Sequence, residues 1–189
     1  MSTKTVDYYT DEIAEPFPQP PNIVRRALDL LQPGRRESRE SETGQYAVDL
    51  PRPWDPAGCP PPLRGAIWTW CEQVAVWLNH EYCWRPEGMI PACWTAHPHI
   101  AQELAALAIG RFTAGSARDP AAIEEWHRYS YPTFCQRMTD RLGESTCRNG
   151  RHISWPGESR HAAYLDALAA RADAITADTH AATRPNATT

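Results

Sequence analysis

A chain of 189 residues has room for one ordinary domain with tails, or for two very small domains. Its net charge of −4 is not gathered into long blocks of one sign, which argues against a dedicated nucleic-acid coat but leaves room for a local basic patch. No window approaches the roughly 18 apolar residues of a membrane helix, and the opening MSTKTVDYYTDE lacks a charged region followed by an apolar run, so the expectation is a cytoplasmic protein without a secretory signal.

The first 61 residues read as a leader, mostly disordered and rich in proline, which favours extended or polyproline backbone. One short helix is expected over 22–31, where Ile23, Ala27, Leu30 and Leu31 share a face and Pro33-Gly34 ends the run. The following GRRESRESETG has no apolar residue and is expected to be disordered.

The strongest helix is expected over 62–83. Ile67, Trp70, Cys71, Val74, Trp77, Leu78 and Tyr82 recur at helical spacing, and Pro62 suits the first turn. Residues 85–98, RPEGMIPACWTAHP, form a connector too rich in proline for a helix. His97-Pro98 marks the next helix start, running to about Gly115. A third helix opens at Asp119-Pro120 and stops at Gly143, with Pro132 expected to kink or split it. After a loop, a last helix is expected over 158–177, with Tyr164, Leu165 and Leu168 inward on an otherwise alanine-rich surface. Residues 178–189 read as a disordered tail. The class is therefore all-α: a small bundle of about four helices over 62–177.

Six cysteines in a reducing compartment read as buried thiols or metal ligands rather than disulfides. Two pairs stand out: Cys93-x3-His97 in the connector, and Cys147-x4-His152 in the late loop. Together they offer two sulfur and two nitrogen donors, the set that suits tetrahedral zinc. Zinc would hold two proline- and glycine-rich loops in a small domain. Cys83 or His99 could stand in for one member, and the bland alternative is buried thiols with capping histidines.

Trp84 and Trp94 flank a turn and could form an aromatic surface for a protein partner, whereas Trp70 and Trp77 fall on the buried stripe. Arg137, Arg141, Arg148 and Arg151 form a local basic group able to contact phosphates, although Asp140 and Glu144 are interleaved with them. No phosphate-binding glycine loop, HExxH pair or nucleophile elbow occurs. His127 and Cys135 are eight residues apart, about 12 Å along a helix, too far for a direct hydrogen bond. No catalytic residue is assigned.

The stretch VAVWLNHEYCWRPEGMIPACWTAHPHIAQELAALAIGRF places a tryptophan-rich helix before Cys-Trp-x-x-His-Pro and a Glu-Leu-x-x-Leu helix. The residues concerned are Trp77, Tyr82, Trp84, Pro91, Cys93, Trp94, His97, Pro98, Glu103, Leu104 and Leu107. With Trp126-His127 and Cys147 near His152, the span 67–152 resembles a group of uncharacterised actinobacterial proteins common in phages and integrative or conjugative elements. The resemblance implies a genomic setting and no reaction. The expectation is a non-catalytic accessory protein of a mobile element, acting through a protein partner. The alternatives are a zinc-supported DNA-binding module and a small enzyme of unknown reaction.

Overall fold

A computed structural model describes residues 13–32, 50–143, 147 and 150–182. The chain is all-α, with no strand among these residues. In order, the helices are α1 (Asn22–Leu30), α2 (Pro61–Glu81), α3 (Pro98–Gly115), α4 (Ala121–Glu125), α5 (Tyr131–Leu142), α6 (Glu158–Asp166) and α7 (Leu168–Ala182). Short 3₁₀ turns punctuate the connectors, and a π turn, Trp126–Ser130, joins α4 to α5. The count exceeds four because the third and fourth expected helices each come in two pieces and the leader contributes α1.

Residues up to Arg151 form one compact unit and residues from His152 a second. In the first, α2 supplies the buried stripe that its spacing predicts: Ile67, Trp70, Cys71, Val74, Trp77 and Leu78. Three consecutive prolines precede or open it, where backbone N–H groups have no helical partner to lose. Across from this stripe lie Ile100, Leu104 and Ala108 of α3, together with Trp126, Phe134 and Met138.

The leader departs from expectation. Its described parts belong to the core: Val24 is fully buried, Ala27, Pro56 and Cys59 are buried, and Phe17 packs edge-on against Trp70 and Trp77. The Trp70 indole donates to the Pro18 carbonyl and the Trp77 indole to the Glu15 carbonyl, each at 2.9 Å. Proline here fixes an extended strap with unpaired carbonyls that serve as acceptors for buried indoles. Arg111 of α3 lays its guanidinium over Phe17, Trp77 and Trp126. The segment GRRESRESETG lies outside the described residues.

Pro132 is accommodated by widening the turn before it. Tyr131 N–H bonds back to the Trp126 carbonyl, five residues earlier. Proline cannot donate to the residue four before it and its ring crowds that carbonyl, so the chain takes up one extra residue there. Asp119 acts as expected, its Oδ1 accepting from Ala121 N–H at 2.9 Å.

In the second unit no residue from 152 to 180 is buried. Tyr164, Leu165 and Leu168, expected inward, are 59, 51 and 58% exposed. The described part of the leader is thus a strap packed on the core, and the chain divides after Arg151. The helix also continues past 177, into the expected tail, as far as Ala182. No helix among the described residues is long and apolar enough to cross a membrane.

The docked leader makes a direct prediction. Val24→Ala should lower the urea-unfolding free energy by about 2 kcal/mol, the ordinary loss for emptying a fully buried site. An unchanged midpoint would mean that α1 contributes nothing to the folded core.

Candidate metal centre

The connector that carries Cys93 and His97 is fastened to α2 at two points. Asn79 grips Ile90 with both amide atoms: Nδ2 donates to the Ile90 carbonyl at 3.0 Å, and Oδ1 accepts from Ile90 N–H at 2.8 Å. Four residues on, the Trp94 indole donates to Glu72 at 2.8 Å. Ile90, Pro91 and Trp94 are all buried. A tight turn follows, in which Ala96 N–H bonds to the Cys93 carbonyl and His97 N–H to that of Trp94. It brings the two ligand side chains to one side, with Cys93 Sγ 3.3 Å from His97 Nε2.

The second pair comes from the loop after α5. Leu142 is buried at the end of that helix, and Gly143 leaves it with a positive φ of 52°. Cys147 is fully buried. Gly150 N–H closes a turn onto the Cys147 carbonyl, and Gly150 has φ 77°, a value for which glycine is suited. His152 follows two residues later in the chain.

Cys93, His97, Cys147 and His152 each offer a ligand atom, and these atoms lie within 4.8 Å of one another. A zinc tetrahedron with bonds of about 2.0 to 2.3 Å has edges of about 3.3 to 3.8 Å, so the observed 3.3 Å pair already has the required spacing. Burial pushes the Cys93 thiol up from its usual range, and its hydrogen bond to Cys147 adds to the shift. Two thiols meeting two imidazoles in this way form a group whose ionised form calls for a cation. With four protein donors the coordination would be closed, which is the pattern of a structural rather than a hydrolytic centre.

The proposed substitutes do not join. His99 lies edge-on to His97 at 5.9 Å between rings, and burial, with Arg141 nearby, lowers its pKa. Cys83 bonds instead to the Arg85 carbonyl. A second grouping, Glu15 with His80 and Glu81, is largely exposed and is accounted for by contacts among its own members.

Trp84 is 95% exposed, as an aromatic contact surface requires, whereas Trp94 is only 4% exposed. Trp94 is therefore a correction: its ring packs near Trp68 at 6.2 Å and its N–H is engaged by Glu72, so it holds the connector from within and offers no surface. Beyond Trp84, residues Arg85 to Gly88 and Thr139 line an open groove of about 680 Å³.

The basic group is divided. Arg137 and Arg141 both pair with Glu103 of α3, the first at 2.7 Å. Their charge is spent on tying α5 to α3. Arg151 is exposed, and Arg148 and Glu144 lie outside the described residues. His127 stacks on Tyr82, with its Nε2 2.9 Å from the Tyr82 hydroxyl. Cys135 is hydrogen-bonded to Tyr131. The imidazole and the thiol thus have separate partners and form no nucleophile–base pair.

Asn79, Glu72 and Glu103 are the supporting residues that sequence reasoning missed. A single polar residue on a helix carries no periodic signal, and its partner is known only once the chain has turned back.

Comparisons with models of known families, with curated proteins and with solved structures find no match.

Burial acts most strongly on one cysteine of α2. Cys71, packed in α2, has its thiol pushed up to about 12 by burial. Below pH 9 this thiol is protonated both folded and unfolded, and its contribution to stability is complete. Above pH 9 the unfolded chain ionises first, so stability falls by about 1.4 kcal/mol per pH unit until about pH 12. Between pH 8.5 and 10.5 the wild type should therefore lose about 2 kcal/mol more than Cys71→Ala in urea titrations. Equal losses would show that Cys71 does not titrate upward on folding.

Proposed function

We propose that this chain is a zinc-supported, non-catalytic binding protein, in which the ion locks the connector before α3 to the loop after α5. The convergence of Cys93, His97, Cys147 and His152 carries this reading. Sequence spacing nominates the four residues from two segments about fifty residues apart, and the folded chain gathers their ligand atoms. Zinc fits because two thiolates and two imidazoles satisfy its preference for mixed sulfur and nitrogen donors. Its role is structural: it cross-links loops that have little regular backbone hydrogen bonding of their own.

The partner is a protein, engaged through the turn that displays Trp84. A fully exposed tryptophan beside an open groove is an unusual use of apolar surface, and such rings anchor protein interfaces. The resemblance of 67–152 to proteins of phages and integrative elements supplies the setting, an accessory role in a mobile element. DNA binding through the arginines is the weaker reading, because Arg137 and Arg141 share Glu103, which offsets one of their two charges.

Elemental analysis of tag-free protein, purified without chelator, tests the proposal. Near one zinc per chain is expected in the wild type, with little in Cys93→Ser/His97→Ala. Cys93 and Cys147 should resist alkylation until a chelator is added. Stability should rise with free zinc, by about 2.7 kcal/mol at a hundredfold excess over Kd. A folded wild type that takes up no zinc, or a variant that keeps it, would overturn the proposal.

A further inference from the structure

The second unit presents a problem of its own. Helices α6 and α7 bury nothing, yet Leu165, Leu168 and Ile175 are large, apolar and 51, 58 and 68% exposed. Alanine-rich composition gives these helices propensity but not packing, and isolated helices of this length are marginal in water. The apolar positions are not scattered. Leu165, Leu168, Ala172 and Ile175, followed by the small polar Thr179, are spaced by three, four, three and four, the spacing of a coiled-coil seam. The residue between the helices, Ala167, has φ −87° and ψ 10°, which ends one helix before the next begins at Leu168. The Arg171 guanidinium sits over the Tyr164 ring at 3.6 Å, bridging seven residues across the join. The seam on one continuous helix is that of α7, from Leu168 through Ala172 and Ile175 to Thr179.

We propose that this seam is an antiparallel self-association surface whose partner is a second copy of the same chain. Charge selects both the partner and the register. Writing Leu165 and Ala172 as a positions and Leu168 and Ile175 as d positions places Arg171 and Asp178 at g. In an antiparallel pair a faces d and g faces g. One register sets Leu168 against the second copy's Thr179 and Ala172 against its Ile175, so every layer joins a large residue to a small one. The same register sets Arg171 opposite the second copy's Asp178, twice by symmetry. Sliding by one heptad in one direction sets Arg171 against its own copy, and in the other direction Asp178 against its own copy. Both shifts put like charges together, a small but unfavourable contribution at each contact. A parallel pair would join Leu to Leu and Ala to Ala, and would face Arg171 with Thr176, with no charge gained.

The test is sedimentation equilibrium of the full chain, as purified, between about 10 and 500 µM, a range that resolves a weak symmetric dimer. The wild type should show reversible monomer–dimer association. Ile175→Asp should raise the dissociation constant at least about tenfold. Asp178→Arg should weaken association, and Arg171→Asp/Asp178→Arg should restore it. The exchanged sites lie on an exposed face, and unchanged far-ultraviolet circular dichroism and zinc content would show that each variant is folded. A wild type that is monomeric throughout would overturn the proposal, as would a double exchange that fails to restore association. A wild-type dimer insensitive to Ile175→Asp would place the contact elsewhere and equally refute it.

Discussion

A buried indole must find an acceptor for its N–H, and this constraint shapes the first unit. Four buried tryptophans meet it in four ways. Trp70 and Trp77 on α2 donate to the carbonyls of Pro18 and Glu15, which obliges the leader to lie along the helix. Trp94 donates to Glu72 and thereby folds the connector back onto α2. Trp126 donates to the Leu107 carbonyl at 3.2 Å, joining the start of the π turn to α3. Each ring brings a large apolar area to the core, and each N–H left unpaired would cost about 1 to 3 kcal/mol. The outer segments are therefore drawn in by polar need as much as by apolar contact.

The candidate metal site rests on the same arrangement. Trp94 sits between Cys93 and His97 in sequence, and its burial is what turns those two residues toward one point. Asn79 holds the other end of the connector by two hydrogen bonds to a single residue. The sulfur and nitrogen donors are thus placed by contacts that do not involve an ion. A site organised in advance loses less conformational freedom on binding, which favours affinity. It also explains why Trp94 could not be a partner surface: one ring cannot both anchor the loop from within and be presented to solvent.

How much of this was legible in the sequence follows from the range of each interaction. The class, the stripe on α2, the caps at His97-Pro98 and Asp119-Pro120, and the break near Pro132 depend on residues a few positions apart. They could be read from period and punctuation. The four metal-ligand candidates were legible because cysteine and histidine are few and their paired spacing is chemically restrictive. The strap was not. Proline-rich composition describes an extended backbone and says nothing about whether indoles lie within reach of its carbonyls. Nor was the pairing of Arg137 and Arg141 with Glu103, since the acid lies more than thirty residues away on another helix.

The inward assignment of Tyr164, Leu165 and Leu168 failed for a related reason. Periodicity identifies which residues share a face, but it does not say what covers that face. In the first unit the covering elements are aromatic and long-range, and each buried ring recruits its own acceptor. The second unit has no buried tryptophan and is dominated by alanine, so nothing in it makes a comparable demand on the rest of the chain. Its helical period survives as a narrow seam rather than a broad apolar face. That distinction matters physically: a broad face packs against a globular core, whereas a narrow seam suits one other helix. The two units therefore use the same helical geometry for different ends, one to bury tryptophan in a core, the other to leave an apolar seam exposed along an alanine-rich surface.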